Sequence, residues 1–131
     1  MSERVRDAML TDPRTLSADA SAQEAAQLLA RPEVRAVLVC DEGRLVGLVG
    51  AAELVAGVVA EGRDPRTTPL RDIARRALVT VEPSLPIEEA YRVLEERDLE
   101  RVPVTENGRL VGVLSRSVLQ RRLAEDDMSR P

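Results

Sequence analysis

The chain is 131 residues long, 44% apolar and 32% charged, with a net charge of −4. That is the size of one ordinary domain, burying about two-thirds of its unfolded surface, and its acidic balance gives no electrostatic footing for nucleic acid. It has no histidine, one cysteine and Tyr91 as its single aromatic residue, which excludes His-ligated metal sites, Ser-His and Cys-His catalysis, an internal disulfide and a base-stacking platform.

All 19 basic residues are arginine, a composition bias expected of a GC-rich bacterium. The N-terminus carries no apolar signal region. The longest apolar stretch, Leu45–Ala60, is interrupted by Glu53 and is shorter than the ~20 residues of a membrane span. A cytoplasmic protein without membrane insertion is the expectation.

The entry segment with Pro13 leads to a short extended piece at Arg14–Leu16 and a turn at Ser17–Ala20. Ser21-x-x-Glu24 forms a capping box, and the helix after it places Ala22, Ala25, Ala26 and Leu29 on one stripe until Pro32. The apolar run Ala36–Cys40 reads as a strand covered on both faces, which makes Cys40 a structural thiol. Asp41-Glu42-Gly43 is a turn, Leu45–Val49 the returning strand, and Gly50 to about Glu61 a second helix.

Gly43-Arg44-Leu45-Val46-Gly47 then recurs unchanged as Gly108-Arg109-Leu110-Val111-Gly112, 65 residues on. With that shift residues 5–55 align with 70–120 without a gap, matching Arg6/Arg71, Asp7/Asp72, Thr15/Thr80, Val37/Val102, Val39/Val104 and Leu54/Leu119 among others. The chain is a tandem duplication. Its second copy has an entry strand at Thr80–Glu82, a helix opening near Pro86 with the stripe Ile87, Ala90, Tyr91 and Leu94, a hairpin turning at Glu106-Asn107-Gly108, and a last helix from Arg116 to about Ala124. The expected fold is α+β: two β-α-β-β-α repeats, residues 5–62 and 70–125, with a linker at 63–69 and a polar tail at 126–131, packed about a pseudo-twofold axis that leaves clefts for a ligand.

The order Val5-Arg6-Asp7-Ala8-Met9, Thr15-Leu16, capped helix, apolar strand, Gly-Arg-Leu-Val-Gly hairpin and second helix resembles a CBS domain. The second copy matches through Leu70-Arg71-Asp72-Ile73, Val79-Thr80-Val81, Val102-Pro103-Val104 and Gly108–Ser115. The resemblance covers about residues 5–125 as a CBS pair, or Bateman module. It implies a non-catalytic regulatory module, commonly dimeric, that takes AMP, ATP or S-adenosylmethionine between repeats and acts on a separate, unknown protein partner.

The family's nucleotide signature is glycine, two apolar residues, Thr or Ser, two variable residues, then Asp. The first copy, Gly47–Glu53, lacks the hydroxyl and carries Glu53 for the Asp; the second, Gly112–Val118, keeps Ser115 and has Val118 for the acid. Each remaining candidate has a second reading. Ser115 contacts phosphate or caps a helix. Val102 and Pro103, with Val37 the counterpart of Val102, line an adenine pocket or fill the strand core. Thr15 and Thr80 contact ligand or suit β geometry. Arg35, Arg101 and Arg116 meet phosphate or are solvated. Glu53 needs a ribose, an arginine or an exposed position, because an unpaired buried carboxylate is costly. The two functional expectations are therefore a nucleotide-sensing module with at most one working site per chain, near Ser115, and a structural module that has lost nucleotide binding. The helix Ala51–Ala60 is apolar almost all round and is expected to lie in a homodimer interface.

Overall fold

The computed structural model describes residues 3–77 and 79–128. In chain order it contains α1 (Val5–Ala8), β1 (Thr15–Ser17), α2 (Ala22–Leu29), β2 (Val37–Asp41), β3 (Arg44–Val49), α3 (Ala51–Leu54), a π-helical turn (Val55–Val59), a 3₁₀ turn (Leu70–Asp72), α4 (Ile87–Glu96), β4 (Arg101–Glu106), β5 (Arg109–Ser115) and α5 (Arg116–Met128). These elements form an α+β fold of two repeats, and no described helix is long and apolar enough to cross a membrane. The last helix continues past the expected end at Ala124 into the polar tail, of which residues 129–131 lie outside the described set.

Two compact units divide the chain, and their borders do not coincide with the sequence repeats. The central unit is residues 14–78; the flanking unit is residues 1–13 with 79–131. Each repeat's lead-in segment thus belongs with the other repeat's hairpin. In the central unit β1 runs parallel to β2, β2 pairs antiparallel with β3, and Arg75 adds a bridge to Leu48 on the far side of β3. In the flanking unit β4 pairs antiparallel with β5 and Leu10 adds the equivalent bridge to Val113. The entry strand expected at Thr80–Glu82 is reduced there to a single parallel bridge, Val81 to Val104.

The local chemistry of the two hairpins is the same. Glu42-Gly43 and Asn107-Gly108 all have positive φ, between 51° and 84°, as a two-residue primed turn requires. Each hairpin carries a register shift at the same repeat position, between Val39 and Cys40 and between Val104 and Thr105. Ser21 Oγ accepts the Glu24 amide at 3.2 Å and caps α2. The helical stripes face inward. Ala22 and Ala25 pack with Val39, Val49, Val58, Leu70 and Ile73; Ile87, Ala90 and Leu94 pack with Val5, Val104, Leu114 and Leu119. Cys40 is half-buried, and burial pushes its thiol up, which disfavours a reactive thiolate.

The second glycine of the repeated motif has a different task from the first. A Cβ on Gly47 would stand 2.4 Å from the carbonyl oxygen of Arg75, and one on Gly112 would stand 2.8 Å from that of Leu10. Both glycines exist so that the lead-in segment can lie directly on the strand. Gly57 plays a similar part in the π turn, where a Cβ would meet Ile73 Cγ2 at 2.6 Å. Gly47→Ala and Gly112→Ala should each lose about 1–3 kcal/mol of stability in urea unfolding. Gly50→Ala should lose less, since its nearest neighbour, the Arg35 carbonyl, is 3.3 Å away; equal losses at all three positions would contradict this reading.

Candidate functional site

Each unit has a junction where the returning strand hands over to a helix, and the two junctions are built differently. In the flanking unit β5 ends at Ser115, whose Oγ accepts the Val118 amide at 3.1 Å and lies 3.2 Å from Ser117 Oγ. The helix it caps, α5, is 13 residues long, so the positive end of its dipole favours an anion. Arg101 stands opposite Ser115 in the β4–β5 register and is exposed. Arg116 follows Ser115, its backbone amide bonded to the Glu100 carbonyl at 2.8 Å. Its guanidinium lies 3.3 Å from Asp98 and 3.9 Å from Glu100. Partial burial works against its charge, but the hydrogen bond to Asp98 and the field of Glu100 outweigh that and hold the guanidinium above its ordinary range. Arg116 is therefore partnered, and Arg101 is the more exposed cation beside Ser115.

The apolar candidates sit deeper. Val102 pairs with Leu114 and belongs to the flanking unit's hydrophobic cluster, and Pro103, opposite Val113, is also buried. Thr80 is exposed and precedes Val81, whose amide donates to the Pro103 carbonyl at 3.1 Å. Strand register thus places Arg101, Val102, Pro103 and Ser115 on one hairpin, with Thr80 beside it.

In the central unit the corresponding junction is occupied by its own side chains. Glu53 Oε1 accepts the Gly50 amide at 2.8 Å, and Oε2 lies 3.4 Å from Arg75 Nε. The Glu53 side chain is 16% exposed and that of Arg75 56%. Of the three environments open to Glu53, the structure gives the arginine. Val37 is buried opposite Val49, and Thr15 is exposed opposite Leu38. Arg35 is exposed, ahead of β2.

Arg75 is the residue that sequence reasoning missed. It lies 22 positions from Glu53, in a segment that reads as the start of the second repeat. The 65-residue shift nevertheless carries a trace of the pairing: Arg75 corresponds to Leu10, and Glu53 to Val118. Both members of the pair change character together.

Among the described residues no three His, Cys, Asp or Glu side chains are grouped so as to hold a metal ion. Removing the Ser115 hydroxyl should cost about 1 kcal/mol as a lost helix cap. Ser115→Asp, which keeps an acceptor for the Val118 amide, should unfold in urea at nearly the wild-type midpoint.

The CBS domain family model matches twice, over residues 5–60 and 70–125. The CBS domain-containing protein YhcV of Bacillus subtilis is 30% identical over 111 residues, covering 85% of this chain and 79% of YhcV. Hypoxic response protein 1 of Mycobacterium tuberculosis is 33% identical over 102 residues, 77% of this chain and 71% of that protein. A crystal structure of Hypoxic Response Protein I with two coordinated zinc ions superposes with a TM-score of 0.76 at 28% identity, over 91% of this chain and 98% of that one. A crystal structure of CBSX2 in complex with AMP gives a TM-score of 0.77 at 24% identity, over 95% and 98% of the two chains.

Proposed function

We propose that this chain, which belongs to the CBS domain family, is a regulatory module that binds an adenosine-containing ligand and modulates a separate protein. The observation that carries the reading is the Ser115 junction: a hydroxyl at the start of a 13-residue helix, with exposed Arg101 directly across the hairpin. A helix N-terminus, a hydroxyl and a nearby guanidinium suit phosphate, and Val102 and Pro103 line the strand behind them. The AMP complex of CBSX2 supports the ligand class. AMP, ATP and S-adenosylmethionine are the compounds of that class to test. Two relatives matched over most of their length, YhcV and Hypoxic response protein 1, do not bear enzyme names.

A second reading, a structural module without nucleotide binding, is favoured by one specific feature. At the position of the family's acid neither junction offers a free carboxylate for ribose: Glu53 is paired with Arg75, and Val118 stands where the other acid would be. Calorimetry with AMP, ADP, ATP and S-adenosylmethionine separates the two. The regulatory reading expects micromolar binding of at least one of them, weakened tenfold or more by Ser115→Asp, whose charge repels phosphate while the cap is kept. Absence of binding by all four at millimolar concentration rejects it.

The module is also proposed to work as a homodimer. Val55 and Val59 on the π turn are 58% and 73% exposed, and Val59 lines a mostly apolar groove of about 320 Å³ with Ala22, Ala26, Leu54, Val58, Arg63 and Pro65. A second copy covers that face most economically, because an isologous interface repeats one self-complementary patch. Sedimentation at tens of micromolar should give a dimer for the wild type and a monomer for Val59→Glu; a wild-type monomer contradicts the proposal.

A further inference from the structure

The two junctions differ by a matched exchange of side chains on one backbone frame. Arg75 is bridged to Leu48 in the central unit, and Leu10 to Val113 in the flanking unit, with all four positions related by the 65-residue shift. On that frame the central unit carries Arg75 and Glu53, whereas the flanking unit carries Leu10 and Val118. Leu10 is 66% exposed.

In the central unit both carboxylate oxygens of Glu53 are engaged, Oε1 by the Gly50 amide and Oε2 by Arg75. A carboxylate that reads a vicinal diol has to accept from both hydroxyls, which requires open lone pairs. The Gly50 contact fixes the carboxylate within its own turn and leaves Oε2 as the oxygen not held by the backbone. Arg75 covers that oxygen.

We propose that Arg75 is a latch that biases which junction fills first: its guanidinium competes with a nucleoside ribose for Glu53 and weakens the central-unit site, while the flanking unit carries Leu10 and Val118 at the matching positions. The inference rests on the reading of the chain as an adenosine-binding module. The latch is weak by construction. Arg75 is 56% exposed and meets Glu53 through Nε at 3.4 Å, and ion pairs of that kind are worth a few-fold in an equilibrium and are screened by salt. A ligand or partner bearing an anion can draw the guanidinium away.

The test is an amide-resonance titration of the ¹⁵N-labelled full chain with adenosine, whose lack of phosphate removes any direct attraction to Arg75. Gly50 reports on the central unit and Val118 on the flanking unit. In Arg75→Ala the adenosine concentration at half-saturation of Gly50 should fall by about two- to fivefold, and Arg75→Lys should stay near the wild type. A tenfold rise in sodium chloride should lower the half-saturation concentration in the wild type and leave Arg75→Ala unchanged, a readout that also serves if the alanine variant does not fold. Equal or weaker response of Gly50 in Arg75→Ala, together with no salt effect in the wild type, overturns the latch. A response at Val118 without a gain at Gly50 removes the latch and leaves the proposed function standing. A gain at Gly50 with Val118 silent keeps the latch and rejects the Ser115 site. Silence at both positions in every variant rejects both.

Discussion

The close approach of backbone over Gly47 and Gly112 is the constraint on which each unit depends. At Gly47 the Leu48 and Arg75 amides exchange hydrogen bonds of 2.7 and 2.8 Å, and at Gly112 the Leu10 and Val113 amides do the same at 2.8 and 3.0 Å. Neither pair of bonds forms if a Cβ holds the strands apart. The contact also draws Ile73 into the central core and Met9 against the flanking one. Because it joins segments far apart in sequence, its loop-closure cost must be met by the burial that follows. Turn, bulge and helix caps are local refinements on that frame.

The same contact sets what each junction can do. It delivers one side chain from the lead-in segment to the place where strand becomes helix. When that side chain is Arg75, an acid at position 53 is stabilised and consumed. When it is Leu10, no charge is supplied, and the polar character of the junction comes from Ser115, Arg101 and the start of α5. Duplication has therefore given two equivalent frames with unequal chemistry.

Much of this was legible in the sequence because it is local. The primed turns at Glu42-Gly43 and Asn107-Gly108, the Ser21 cap and the inward stripes of α2 and α4 depend on residues within one or two turns of each other, and the structure has them where the pattern puts them. Ser115 was legible as a cap for the same reason. What the pattern did not convey is non-local: lead-in segments 5–13 and 70–78 read as parts of their own repeats, but they lie in the opposite units. From that non-local packing follow the unrecognised partner of Glu53 and the role of Gly47 and Gly112 as contact points. The π turn that interrupts the Ala51–Ala60 helix carries another such contact. Gly57 must meet Ile73, a residue of the lead-in segment. The expected second entry strand shrank to the Val81 bridge.

An adenosine-sensing CBS pair with one open junction and one latched junction makes a definite statement about stoichiometry. Native mass spectrometry of the wild-type chain with AMP counts bound ligands per chain directly. One AMP per chain is the predicted first-bound species, with a second adding only at a several-fold higher AMP concentration; two sites filling together, or no binding at all, would contradict the account.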